Sequence, residues 1–314
     1  MRQLPGLYWD ETKKRYFPET SKPKTKQVSP YEDSEDSFSN FGHRNPFRMK
    51  IERTQPMHLP FNGPTTATEE FVFACTDGFT IKKYCNIEGE LVLKDEIRSI
   101  KQVQAIYCTK SFLLVTHVPQ DLDASGLEAC LYHISNTNNV TMIEILNYPF
   151  KQPIVEVDGE VAYISGSSEL MLGNRNLGKI KNPRALFYHP NVGIVVATTN
   201  GKIKCFHGPD YDKITEWKLE HSSAIDLFYA ELLGSLLALT FHGDLIRIDF
   251  ESGEQAVLAS KLPERIILCY SYIIFVEDGK VRFLNLLNST DSFSLELEHS
   301  ATQIFLQNIQ ILYK

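Results

Sequence analysis

Nine histidines, six cysteines and 39 carboxylates are the residues of this 314-residue chain that could do chemistry. His117, His133, His189, His207, His221, His242 and His299 are scattered, with no His-Glu-x-x-His pair and no clustered metal-ligand spacing. The cysteines, Cys75, Cys85, Cys108, Cys130, Cys205 and Cys269, contain no Cys-x-x-Cys pair. Most sit inside apolar runs, so they read as buried free thiols of a reducing compartment. There is no Gly-x-Ser-x-Gly elbow, no P-loop and no Gly-x-Gly-x-x-Gly; Gly166-Ser167-Ser168 reads as a turn. No catalytic residue, metal site or cofactor is therefore expected. An enzyme would need a polar pocket assembled at an axis from residues far apart in sequence.

The elements that carry these residues repeat. A strand–turn–strand unit runs from Phe71 to Tyr84 around Asp77-Gly78. It returns from Val195 to Phe206 around Asn200-Gly201, from Leu236 to Ile248 around His242-Gly243, and from Ile273 to Leu284 around Asp278-Gly279. Each is an apolar run, a turn dipeptide and an alternating run. Asp-Gly and Asn-Gly suit tight hairpins because both central residues can take positive φ. Gly201 to Gly243 is 42 residues, Gly243 to Gly279 is 36, and His221 to His299 is 78, two units of 39. A period near 40 with about four strands per unit is the signature of a β-propeller. A lone four-stranded blade has two apolar faces and cannot bury both, whereas blades packed around an axis bury them against one another.

Two weaker units fill the gap. One spans Val161 to Leu172. The other pairs Phe112–Thr116 with Leu127–Ile134 across an expanded, Asp-containing loop from Pro119 to Gly126, itself a candidate contact surface. Blades are expected to start near residues 66, 103, 153, 183, 221 and 264. His299 to Lys314 supplies the first two strands of a seventh, which a segment from Phe47 to Leu59 completes. Strands from both ends would then remove free edges. Six blades with a trailing hairpin is the alternative count.

Phe187-Tyr188-His189-Pro190-Asn191-Val192-Gly193 resembles the strand-to-turn segment of WD repeats. His221 and His299 match the histidine of the family's Gly-His pair, with Glu220 and Glu298 in place of the glycine, which implies hydrogen-bonding roles within their blades. Asp77 and Asp278 match its turn aspartate. The Trp-Asp dipeptide is absent, and Ile248-Asp249 and Leu284-Asn285 stand where it would be. The resemblance covers about residues 66–314 and implies degenerate WD repeats. It speaks to fold rather than function.

Charge is uneven. Residues 1–64 hold 11 Lys and Arg against 8 Asp and Glu, and the rest of the chain holds 21 against 31. An acidic body disfavours broad binding to phosphate backbones, so direct nucleic-acid binding is not expected. No apolar run of membrane-spanning length and no apolar signal-like region at the start are present, so the expectation is an intracellular protein of nucleus or cytoplasm with no membrane contact.

The second informative stretch is residues 1–18, dense in aromatic side chains and Leu. Tyr8-Trp9 and Tyr16-Phe17 are placed to pair across a hairpin with Glu11 to Lys14 at its tip. The pattern Leu4-Pro5-Gly6-Leu7-Tyr8-Trp9-Asp10, then Arg15-Tyr16-Phe17, resembles the N-terminal segment of DDB-and-cullin-associated factors of the WD-repeat-twenty-one type. That resemblance implies a substrate receptor of a cullin-RING ubiquitin ligase, with a ligase adaptor and a substrate as protein partners. It makes Leu4, Pro5, Gly6, Tyr8, Trp9, Asp10, Arg15, Tyr16 and Phe17 the candidate partner-binding residues. The Trp-Asp-x-Arg that such receptors carry at third-strand ends is absent; Ile248-Asp249-Phe250-Glu251 stands there. A strap on the chain's own propeller is the other role open to the stretch.

Residues 19–46 read as a flexible linker, basic then acidic, with Ser34 and Ser37 as candidate phosphorylation sites. The expected molecule is thus all-β. It is a single WD-repeat-like propeller over residues 47–314, behind an extended and partly disordered arm. Its function is that of a non-catalytic interaction scaffold, either a ligase substrate receptor or a subunit of a nuclear or chromatin assembly. The narrow face carrying the Asp77, Asn200, His242 and Asp278 turns is the expected contact face.

Overall fold

The structure, a computed structural model, describes residues 7–10, 15–18, 46–54, 56–87, 90–119, 121, 125–147, 150–220, 222–297, 299, 301, 303–307 and 310–313. The chain divides into two compact units, residues 1–49 and 50–314. The first contains an antiparallel hairpin of Leu7–Asp10 with Arg15–Pro18, in which the backbone of Tyr8 lies opposite Phe17 and that of Trp9 opposite Tyr16. The anticipated tip, Leu4-Pro5-Gly6, and linker residues 19–45 with Ser34 and Ser37 lie outside the described residues.

The second unit is a seven-bladed β-propeller. Blades 1 to 6 are four-stranded antiparallel meanders spanning residues 65–98, 103–146, 154–179, 183–218, 224–259 and 267–296. Blade 7 has three strands: Ile304–Gln307, Gln310–Tyr313 and Met57–His58. The segment expected to complete it divides in two. Its first half is the helix Pro46–Arg53, and only Met57–His58 pairs, parallel to Leu312 and Tyr313. Proline is favoured at a helix start, which suits Pro46. Pro56 and Pro60 lack an N–H and confine the strand between them. The Leu59 N–H then donates to the Tyr313 carbonyl at 2.8 Å, which extends the closure by one residue.

Packing explains why the second strands read as unbroken apolar runs. Every residue of Gly193–Thr198 and Ser235–Thr240 is buried. Ile194 and Val196 pack with blade 3, while Val195 and Ala197 pack with blade 5. Leu236 and Ala238 face blade 4, and Leu237 and Leu239 face blade 6. The two-residue period of a strand sends successive side chains to opposite neighbours, so both faces are apolar. Fourth strands such as Glu90–Arg98 lie outermost and are largely exposed, whereas first strands adjoin the first strands of neighbouring blades.

The turns differ in kind from the sequence expectation. Of the four turn dipeptides, only Asp278-Gly279 places both residues at positive φ, 50° and 73°. At Gly78, Gly201 and Gly243 the glycine alone does so, at 80°, 79° and 81°. The loops at Asn200 and His242 are one residue longer than a two-residue hairpin. Gly201 N–H donates to Thr198 at 3.1 Å and Gly243 N–H to Thr240 at 3.0 Å, the three-residue turn with a left-handed last residue. The glycine is required there: a Cβ on Gly243 would lie 2.5 Å from the Leu262 carbonyl oxygen. The glycine carbonyls then receive the chain as it leaves the fourth strand. Leu219 N–H donates to Gly201 at 2.8 Å, Leu262 to Gly243 at 2.9 Å and Leu297 to Gly279 at 3.3 Å. In blade 3, Ser168 at φ 63° takes the same role for Ile180, at 2.8 Å.

Two family-derived roles come out unequally. Asp77 Oδ1 accepts from Thr80 and Phe79 N–H groups at 2.5 and 2.8 Å, and these donors lower its carboxyl from 3.8 to about 2. Asp249 and Asn285, at third-strand ends, accept backbone N–H groups of the following turns, from Glu251 and Ser252 and from Leu287 and Asn288. His299 is corrected. It is exposed and meets the His58 ring edge-on at 5.0 Å instead of bonding within a blade. His221 lies outside the described residues.

Two outcomes test this account. Leu59 is 1% exposed among Val72, Ala74 and Leu312, where the first and last blades meet. Leu59→Ala is expected to lower stability by about 3 kcal/mol in urea unfolding. Asp77 has a depressed folded pKa, so its contribution is present above the ordinary carboxylate value and lost as pH falls through about 2. The gap in urea midpoint between wild type and Asp77→Ala should therefore narrow between pH 5 and pH 2.

Candidate functional site

Antiparallel meanders place the turns between strands 2 and 3, and the crossings between blades, on one face of the propeller. The turns between strands 1 and 2 and between strands 3 and 4 lie on the other. On the first face, three backbone segments are tied together at the junction of blades 1 and 2. Ser99 N–H donates to Phe79, Val103 N–H to Gly78 and Val118 N–H to Gln102, all within 2.8–2.9 Å. The side chains carried there are apolar and exposed: Phe79 at 48%, Ile100 at 99% and Val118 at 45%. The loop from Pro119 to Gly126, of which residues 120 and 122–124 lie outside the described residues, begins directly after Val118. Lys101 and Glu128 pair at 2.5 Å close by. Below, His117 is buried and shares a hydrogen bond with Ser99 Oγ at 3.0 Å; burial lowers its pKa and keeps it neutral at physiological pH.

At the axis, Lys151 Nζ lies 3.4 Å from Asp226 Oδ2. Lys151 belongs to the crossing into blade 3, and Asp226 to the first strand of blade 5, so the pair spans the intervening blade. Both side chains keep roughly a quarter of their surface, 25% and 21%, while surrounded by protein atoms. Burial lowers the Lys151 ammonium below its usual range and raises the Asp226 carboxyl above its own, each offset in part by the partner's charge. Among the described residues, no group of three or more His, Cys, Asp or Glu is arranged to hold a metal ion. All six cysteines are free, and burial raises the thiols of Cys75, Cys108, Cys130, Cys205 and Cys269. Such thiols are poor nucleophiles at neutral pH.

The second face carries a cleft of about 610 Å³ over blades 3, 4 and 5. Asp158 comes from the first turn of blade 3. Tyr188, His207, Tyr211 and Trp217 come from blade 4, and Phe250 from blade 5. Gly193, at φ 107°, lets the cleft floor lie close against the backbone of the next strand. A Cβ there would lie 2.1 Å from the Phe206 carbonyl oxygen. Tyr211 and Tyr188 hydroxyls donate to the two oxygens of Asp158, at 3.2 and 3.4 Å. Trp217 meets Phe250 edge-on at 5.4 Å. Beside them His189 stacks on Tyr229 at 4.0 Å and hydrogen-bonds Glu231 through Nε2 at 2.8 Å.

The structure therefore distributes the residues singled out by sequence. Tyr8, Trp9, Asp10, Arg15, Tyr16 and Phe17 belong to the first unit's hairpin. Leu4, Pro5 and Gly6 lie outside the described residues. Turn residues Asp77, Asn200, His242 and Asp278 share one face of the propeller, as expected. Sequence reasoning missed the cleft, because its walls come from three blades. The one available signal was the density of Tyr188, Tyr211 and Trp217 within a single repeat.

No family model matches the chain, and no curated protein matches it. Solved structures share its fold. The computationally designed Ika8 protein matches 82% of this chain and 96% of its own at 13% identity, with a TM-score of 0.52. Hsv2 of Kluyvelomyces marxianus matches 79% of this chain and 81% of its own at 9% identity and a TM-score of 0.49. A putative 6-phosphogluconolactonase of Bacteroides uniformis matches 73% and 81% at 12% identity and 0.48. At 13% identity the Ika8 match speaks to the architecture alone.

The axial pair can be tested directly. Lys151→Ala leaves the Asp226 carboxylate unpaired and is expected to cost roughly 3 kcal/mol in urea unfolding. Pairing Lys151→Met with Asp226→Leu should recover most of that loss, since it removes both charges at once.

Proposed function

We propose that this protein is a non-catalytic interaction scaffold whose turn face is a protein-binding surface. The observation that carries the proposal is the Phe79, Ile100 and Val118 cluster. Three apolar side chains stand in solvent on a backbone fixed by hydrogen bonds between adjacent blades. Exposed apolar residues on neighbouring hydrogen-bonded segments, next to a polar loop, have the composition of an interface core with a rim. Fixing them in advance lowers the ordering cost of association.

The finer reading is a substrate receptor of a cullin-RING ubiquitin ligase. It rests on the N-terminal pattern through Tyr8, Trp9, Tyr16 and Phe17, and the hairpin register of these residues supports it. On this reading the hairpin docks on the ligase adaptor and the turn face holds the substrate. Aromatic residues in a strand pair are suited to act as anchors in such a contact.

The two surfaces are separable by mutation. Affinity purification with mass spectrometry should compare wild type, Phe79→Ser with Ile100→Ser, and Tyr8→Ala with Trp9→Ala, each first shown to melt cooperatively. The turn-face variant is expected to lose substrate proteins while retaining a cullin-ligase adaptor. The hairpin variant is expected to lose the adaptor. Recovery of the wild-type set by the turn-face variant overturns the scaffold reading. Absence of any ligase adaptor from the wild-type set overturns the receptor reading.

A further inference from the structure

We infer that the cleft over blades 3, 4 and 5 binds a basic side chain, lysine or arginine, of a protein partner; the inference rests on the interaction-scaffold reading and adds a second contact on the opposite face. Three features converge on a cation. The first is the wall. Tyr188, Tyr211, Trp217 and Phe250 line one cleft, and the faces of such rings attract a cation through their quadrupoles. The second is the carboxylate. Asp158 sits at the rim in a turn with Gly159, at φ 50° and 86°, and accepts the Tyr188 and Tyr211 hydroxyls. Each carboxylate oxygen keeps a second lone-pair site for an ammonium or guanidinium. The donated hydrogens also enrich the phenol rings, because an O–H bond polarised toward a carboxylate leaves more electron density on the ring.

The third feature is the surrounding charge. Asp210 and Asp212 are exposed on the loop that carries Tyr211, and Glu231 lies across the stacked His189–Tyr229 pair. On blade 4, His207 lines the cleft and Lys213 pairs with it across strands 3 and 4. The carboxylates Asp158, Asp210, Asp212 and Glu231 outnumber these, so the rim favours an incoming positive charge. An anionic ligand would meet that repulsion. A neutral apolar side chain would fill the space without using Asp158, whose phenol contacts would then stand at the rim with no charge to answer.

At about 610 Å³ the cleft has room for a side chain presented by a folded partner. The same ring that exposes Phe79 and Ile100 on one face therefore offers a charge-selective contact on the other, and one partner chain draped over the rim, or two separate partners, could use both.

Trp217 supplies the readout. Its indole N–H resonance, assigned by its loss in Trp217→Phe, should be followed while adding N-acetyl-lysine methylamide, the arginine counterpart, and the norleucine counterpart as a neutral isostere. At least one cationic probe is expected to give a saturable shift, and norleucine none. Asp158→Asn keeps the turn, since Asn tolerates the left-handed conformation, and should weaken the cationic probe by at least about fivefold. Phe250→Ala should weaken it as well. No saturable shift with either cation, or an equal shift with norleucine, overturns the inference. Phe79→Ser with Ile100→Ser serves as the control for the underlying reading. If the cleft fails to bind cations while that variant still loses partners, only the cleft proposal falls. If the cleft binds while that variant keeps every partner, the turn-face reading falls and the cleft stands.

Discussion

Two apolar faces on every blade are the constraint from which the rest of the structure follows. The side chains of Ile194, Val195, Val196 and Ala197 alternate between blades 3 and 5, so blade 4 is stable only between two neighbours. Every blade has this need, and a row of blades would leave two faces open. The ring must therefore close, and it closes through a short contact. Met57 and His58 pair with Leu312 and Tyr313, backed by Leu59 against Val72 and Ala74. A two-residue parallel pairing is weak in hydrogen bonds. Its strength comes from burial, since Leu59, Leu312 and Tyr313 are almost wholly removed from water.

The second recurring device is the acceptance of an outgoing N–H by a turn carbonyl. Gly201, Gly243, Gly279 and Ser168 each accept from a residue within three positions after the fourth strand. Three of those residues, Leu219, Leu262 and Ile180, are buried and plug the space beneath the turn. One hydrogen bond thus satisfies a crossing that would otherwise leave polar backbone above an apolar core. It also makes the turn face stiff, because turn and crossing hold each other. On such a frame the exposed Phe79, Ile100 and Val118 keep fixed positions, which links the turn chemistry of the repeat to its capacity for recognition.

Much of this was legible in the sequence because a repeat multiplies its own signal. The blade starts expected near 66, 103, 153, 183, 221 and 264 fall at 65, 103, 154, 183, 224 and 267. What repetition could not supply was read less well. The closing strand is two residues long and follows a helix, so it has no periodicity to detect. The hairpins at Asn200 and His242 share the following glycine with Asp278-Gly279 but not its loop length, and loop length is set by the flanking register rather than by the two central residues. His299 carried a family resemblance without the neighbour that would make it a blade ligand, and it meets His58 instead. The cleft was hidden for a simpler reason. Asp158, Tyr211 and Phe250 are separated by 53 and 39 residues in sequence and meet only because three blades do.

The axial pair shows how a propeller can afford polarity at its centre. Lys151 and Asp226 are each displaced by burial toward neutrality, and each partner's charge opposes that shift in the other. Replacing such a pair by apolar residues is often neutral or stabilising, so stability alone is a weak reason for its presence. Specificity of assembly is a stronger one. The interfaces between blades 3 and 4, 4 and 5, and 5 and 6 are built from the same kinds of side chain, chiefly Leu, Ile, Val and Ala, and similar interfaces permit slipped packing. A Lys that must find an Asp two blades away distinguishes the correct ring from one offset by a blade, because any other arrangement buries an unpaired charge.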